Sequence, residues 1–200
     1  MKSILVFGDS ITYGLCDQTV GGWVNRLRLY LDKLTGFDVE VFNLGRSGEV
    51  TKGTLDRFDA ECQARYVPGR ETKVIFAIGI NDTQDIEGKD RTDIKQFEQN
   101  IRELIEKAKK ITSDITFVGL TPVDELKVVN RLSKSINMFK SYFNKKIIKF
   151  DEVIQRACTD QKLLFIKVFD LLDLDDLEDG LHPNDQGHSK MFKRICHQVS

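Results

Sequence analysis

The chain has 200 residues, 30 of them basic and 31 acidic, for a formal net charge of −1, so no global field gathers polyanions and a nucleic-acid partner is not expected. That length buries a full core in one domain spanning residues 1–200, and a composition of 40% hydrophobic and 30% charged residues with three prolines argues against disorder. No apolar run is long enough to span a bilayer or to form a secretory core, which leaves a cytoplasmic setting as the expectation, provided Met1 is the native start. Cys16, Cys62, Cys158 and Cys196 are scattered without the CxxC spacing of zinc or redox sites, and structural thiols are expected.

Short apolar runs alternate with amphipathic segments along the whole chain. Residues 3–7 form the first predicted strand, and Trp23 opens the apolar face of the first helix. Residues 38–43 and 73–78 read as the second and third strands. Phe97, Ile101, Leu104, Ile105, Ala108 and Ile111 recur at helical spacing behind Asp93 and Gln96, which resemble a capping box, while Lys107, Lys109 and Lys110 form a solvated face. A fourth strand is predicted over residues 115–119. A longer apolar stripe through Leu132, Ile136, Phe139, Phe143, Ile147, Phe150, Ile154 and Ala157 predicts a second long core helix. Residues 163–168 supply the fifth strand, and a last helix starting near Asn184 is expected to bury Met191, Ile195 and Val199. This alternation predicts an α/β fold, a three-layer α/β/α sandwich around a five-stranded parallel sheet. In such a sheet the ligand site lies beyond the carboxyl ends of the strands.

Chemistry-bearing residues cluster at those strand ends. Gly8-Asp9-Ser10-Ile11-Thr12 follows the first strand as a tight turn that lifts a hydroxyl to the sheet edge, although serine and glycine in a turn also have an ordinary conformational explanation. The segment Asn43-Leu44-Gly45-Arg46-Ser47-Gly48 closes the second strand, with Gly48 placed to offer a backbone N–H to a bound group. Gly79-Ile80-Asn81-Asp82 closes the third, where the Asn81 amide is a candidate donor to a developing oxyanion. In Asp179-Gly180-Leu181-His182-Pro183 a carboxylate three residues before a histidine is able to fold back on the ring, holding its tautomer while the imidazole takes a proton from a serine.

Taken in order, Gly-Asp-Ser, Gly48, Gly-x-Asn-Asp and Asp-x-x-His resemble the four sequence blocks of the SGNH, or GDSL, hydrolase family, over positions 8 to 183. The resemblance implies a flavodoxin-like sandwich and ester hydrolysis through an acyl-enzyme on Ser10, with His182 as base and Asp179 orienting it. It further implies an oxyanion hole from the Ser10 and Gly48 N–H groups and the Asn81 amide, and no metal or organic cofactor. Its first block reads Gly-Asp-Ser-Ile where the family ends in leucine, a conservative departure.

Asp9, Tyr13, Arg46, Asp82 and Thr83 flank these blocks and are possible substrate contacts, though Asp9 and Asp82 suit local backbone hydrogen bonding better. Asp185 and His188 near His182 do not assemble a metal set, and His197 reads as an exposed helix-end residue. The expected substrate is a small-molecule ester with a short acyl group such as acetyl, because segments 82–92 and 121–131 lack an extensive apolar insert. An alternative is a flavodoxin-like module cradling a flavin phosphate on Ser10, Thr12 and Gly14, which leaves Asp179 and His182 without a role. A non-catalytic binding domain on the same fold is the other alternative.

Overall fold

The computed structural model describes residues 1–133 and 137–199. In chain order the elements are β1 (Lys2–Gly8), α1 (Ser10–Tyr13), α2 (Trp23–Thr35), β2 (Val39–Gly45), α3 (Thr51–Ala64), β3 (Glu71–Ala77), β4 (Asp85–Ile86) and β5 (Lys89–Asp90). They continue with α4 (Ile94–Lys109), β6 (Ile115–Val118), α5 (Glu125–Val128), β7 (Arg131–Ser133), β8 (Met138–Ser141), α6 (Asn144–Gln161), β9 (Leu164–Ile166) and α7 (Asp185–Val199).

Five strands form one parallel sheet in the order β2-β1-β3-β6-β9, as the alternating pattern implies. Covered on both faces, its central strands read as continuous apolar runs, and every residue of β1 from Ser3 to Gly8 is buried. Helices α2 and α7 pack together, while α3, α4 and α6 form a second group in which α4 touches both neighbours. Ring contacts link Phe7 to Phe58 at 5.0 Å, Phe7 to Phe76 at 5.7 Å and Phe76 to Phe117 at 4.8 Å, tying three adjacent strands to α3. Asp93 caps α4 by accepting from Lys95 N–H at 2.9 Å and Gln96 N–H at 3.4 Å; the Gln96 side chain turns instead to Asn100, so the expected reciprocal box is half made. No helix among the described residues is long and apolar enough to cross a membrane.

The long helix expected from Leu132 onward is shorter than its stripe. Strands β7 and β8 pair as an antiparallel hairpin, and β8 pairs in turn with β4, so that β5-β4-β8-β7 make a second, four-stranded sheet. Leu132 and Phe139 are exposed on it, whereas Ile147, Phe150, Ile154 and Ala157 are buried on α6; Ile136 lies outside the described residues. The Asn144 side chain opens α6 by accepting from Val123 N–H at 2.9 Å and donating to Val123 O at 2.8 Å, a contact to a distant loop.

Phe76 is fully buried at the centre of the ring cluster. Its replacement in Phe76→Ala is expected to cost about 3–5 kcal/mol of unfolding free energy, the usual range for a truncated core aromatic, measured by urea titration. A loss below about 1 kcal/mol would mean that the cluster does not hold the sheet to α3.

Candidate active site

Parallel register brings the ends of the three central strands level. Gly8 lies opposite Gly45 on one side and Ala77 on the other, and the turns that follow all rise from this row. The row is tightly packed: a Cβ on Gly8 would fall 2.0 Å from Thr12 Oγ1 and 2.4 Å from Ala77 O, so only glycine allows the chain to double back into α1. Asp9 caps that turn by accepting from Ile11 N–H at 2.9 Å, and Thr12 Oγ1 donates to Ala77 O at 3.2 Å. Ser10 is thereby held at the edge of the sheet.

Residues distant in sequence meet it there. Ser10 Oγ and His182 Nε2 are 2.9 Å apart, and His182 Nδ1 lies 3.0 Å from both carboxylate oxygens of Asp179. Asp179 Oδ1 also accepts from the N–H groups of Leu181 at 3.1 Å and His182 at 2.9 Å, which winds the segment into one turn behind the ring. Partial burial alone would raise the Asp179 carboxyl, but its bonds to the His182 ring and backbone, the His182 charge and the Leu181 N–H outweigh it and hold it well below the usual carboxylate range. The arrangement is that of a hydroxyl, an imidazole and an ionised carboxylate in line.

Asn81 sits on a short 3₁₀ turn (Ile80–Thr83) after β3, buried beside Ser10. Its Oδ1 accepts from the Tyr142 hydroxyl at 2.9 Å and its Nδ2 donates to Glu49 O at 3.1 Å, which fixes the amide orientation and leaves one N–H of the pair unspent. The chain of bonds runs on: Gln84 Nε2 donates to Tyr142 Oη at 2.6 Å, and Arg91 Nη1 donates to Gln84 Oε1 at 3.1 Å. Arg91 Nη2 donates to Gly48 O at 2.9 Å, so one guanidinium steadies both sides of the site. Gly48 itself turns with φ of 76°, a conformation that suits glycine.

A cavity of about 660 Å³ opens over these groups, lined by Ser10, Gly48, Asn81, Asp179 and His182 together with Leu15, Ser47, Gln84, Val128, Arg131, Leu132, Ser133, Lys140, Tyr142 and Leu181. The five residues expected as possible substrate contacts do not line it. Asp9 is buried beneath Ser10; Asp82 is buried and accepts from Thr51 N–H at 2.9 Å and Thr51 Oγ1 at 2.7 Å; Thr83 donates to Ile80 O at 2.7 Å. Tyr13 is exposed away from the cavity, and Arg46 is exposed with its guanidinium 3.9 Å from Glu49. Arg131 and Lys140 were not legible as site residues, because they reach it through cross-strand pairing that leaves no periodic mark, and Gln84, Arg91 and Tyr142 join it through side-chain bonds between segments far apart in the chain. His188 is a core residue: Nδ1 accepts from Trp23 N–H at 3.3 Å and Nε2 lies 3.1 Å from Leu15 O, so both ring nitrogens are engaged by backbone.

Residues 6–190 match the profile of the GDSL-like Lipase/Acylhydrolase family. No curated protein matches the chain. Among solved structures it is similar to the lipase/acylhydrolase from Enterococcus faecalis, with 20% identity, 100% of this chain and 95% of that chain covered, and a TM-score of 0.79. It is also similar to Axe2, an acetylxylan esterase from Geobacillus stearothermophilus, with 18% identity, coverage of 100% and 94%, and a TM-score of 0.76. A member of the lipolytic protein G-D-S-L family from Veillonella parvula aligns with 17% identity, coverage of 99% and 98%, and a TM-score of 0.76. At these identities the likeness is one of fold.

Asp9 gives the site a pH signature in stability. Burial pushes its carboxyl up to about 7, against the opposing pull of the Ile11 N–H and the His182 charge and with repulsion from Asp82 and Glu49. In the unfolded chain the same group releases its proton near a pH of about 4, so the native state loses stability as pH rises between these values. The Asp9→Asn variant keeps an acceptor for Ile11 and removes the titration. Denaturant midpoints of the wild type are expected to decline relative to this variant from pH ~4 to ~7; parallel profiles would show that Asp9 does not titrate in its buried place.

Proposed function

Since the chain belongs to the GDSL-like lipase/acylhydrolase family and is therefore a carboxylic ester hydrolase, we propose that it cleaves a short-chain ester through an acyl-enzyme on Ser10. The observation that carries this reading is the unbroken line from Ser10 Oγ through the His182 ring to Asp179, at 2.9 and 3.0 Å. His182 Nε2 takes the Ser10 proton as Oγ attacks the ester carbonyl, and returns it to the leaving alcohol. Asp179, ionised, holds the ring in the tautomer that presents an acceptor to Ser10 and stabilises the imidazolium. The oxyanion is received by the N–H groups of Ser10 and Gly48 and by the free N–H of Asn81, which Tyr142 and Glu49 hold in place. Water then repeats the sequence on the acyl-enzyme to release the acid.

The acyl group proposed is short, acetyl above all, on a small alcohol or sugar, bound in a cavity where Leu15, Val128, Leu132 and Leu181 stand among polar groups. The Geobacillus neighbour is named for acetylxylan, an ester of that kind. Phosphate cradling by Ser10 and Thr12 is disfavoured because Thr12 is buried with its hydroxyl spent on Ala77.

In a chain-length series of activated esters, turnover is expected to be greatest for acetate and to fall with longer acyl chains. Ser10→Ala and His182→Ala are each expected to lose about four or more orders of magnitude in kcat, and Asn81→Ala about two to three. Near-wild-type turnover by folded Ser10→Ala would overturn the assignment, and rising rates through long acyl chains would overturn the short-chain reading. Tyr142→Phe retains the ring and removes the hydroxyl that orients Asn81, so kcat is expected to fall about tenfold with KM little changed. An unchanged kcat would show that Asn81 needs no such support.

A further inference from the structure

The second sheet stands beside Ser10, and its register lines up side chains of one sign. Lys89 lies opposite Ile86, Ile86 opposite Lys140, and Lys140 opposite Arg131, so these four side chains leave the same face of the sheet. The row contains three cations and no carboxylate. Like charges directly opposite one another repel. Two of the three, Lys140 and Arg131, line the cavity that holds Ser10 and His182.

Lys140 is the unusual member. It is half-buried, and among the described residues it has no carboxylate partner. Burial and the charge of Arg91 hold its ammonium below the usual lysine range. Arg131 is engaged at 3.3 Å with Asp179, whose carboxylate also serves His182, and Arg91 is spent on the uncharged Gln84 and Gly48 carbonyls. Lys140 and Arg131 thus meet at one wall of the cavity, under the added charge of Arg91, with Asp179 as the one carboxylate among the described residues that pairs with either and already committed to His182, in a chain whose overall charge is −1. An anionic group on a bound molecule would relieve this repulsion and gain a charge-assisted hydrogen bond in a partly desolvated place.

We propose that Lys140, flanked by Arg131, binds an anionic group, carboxylate or phosphate, carried by the ester substrate at a point away from the carbonyl that faces Ser10. The substrate class is then an acidic ester, a deepening that rests on the ester-hydrolase reading above. The charge sits either on the alcohol or on the acyl portion, and paired probes separate the two. On the alcohol side, para-acetoxybenzoate is compared with para-acetoxybenzamide; on the acyl side, monomethyl succinate is compared with methyl succinamate. Each pair differs only in a carboxylate against an amide.

Wild-type enzyme is expected to favour the carboxylate member of one pair by about tenfold in kcat/KM, through KM, with the preference shrinking as salt is raised. Lys140→Gln is expected to abolish the preference, lowering kcat/KM about tenfold more for the carboxylate member than for its amide partner, and Lys140→Arg to retain it. Equal rates within both pairs, or a preference that survives Lys140→Gln, would overturn the proposal. A binding measurement keeps it testable apart from turnover: Ser10→Ala, with its fold verified by circular dichroism, is titrated with the same probes by nuclear magnetic resonance. Tighter binding of a carboxylate, lost on adding Lys140→Gln, supports the anion site even if no ester is cleaved, in which case the hydrolase reading alone fails. Indifference to the charge overturns the anion site whatever the enzyme hydrolyses.

Discussion

Everything at the site depends on the shared register of β1, β2 and β3. Because Gly8, Gly45 and Ala77 are level, the three turns that leave these strands emerge side by side, and Ser10, Gly48 and Asn81 meet although more than seventy positions separate the first from the last. A shift of any one strand by a residue would reverse its faces and carry its turn away from the others. The buried apolar runs on both faces of the sheet hold this register, and the Phe7, Phe76 and Phe117 rings lock three of its strands to one another. Core packing therefore sets the precision with which polar groups meet at the edge.

The polar groups are supported unequally. His182 and Asp179 come from one turn and position each other locally. Asn81 instead relies on partners from three other places in the chain, Tyr142, Glu49 and, through Gln84, Arg91. Buried hydrogen bonds in series polarise one another, and the outermost member here is a cation. Tyr142 directly follows β8, the strand that carries Lys140, so the segment that aims the Asn81 amide also supplies the charged wall of the cavity. The proposed oxyanion donor and the proposed anion site are in this way built on the same pair of strands.

That hairpin is also where sequence reasoning stopped. Leu132 and Phe139 share helical spacing with Ile147 and Phe150, yet they lie exposed on short strands, because β8 finds its partner in β4, more than fifty positions earlier. Pairing at such a distance imposes no local period. Asp9, Asp82 and Thr83 lie near the motifs and were possible substrate contacts, with local backbone hydrogen bonding the preferred reading for the two aspartates. Burial under the strand ends turned these side chains inward, to Ile11, Thr51 and Ile80.

From sequence alone came the five parallel strands, the helices between them and the proposal of Ser10, Asn81, Asp179 and His182 as a set. Each rests on local information: apolar runs, helical periods, glycine turns and the three-residue step from Asp179 to His182. Only the tertiary structure decided what surrounds that set. The second sheet, the bonds that steer the Asn81 amide and the row of cations beside Ser10 arise between segments far apart in the chain, and their chemistry exists only once the strands have paired.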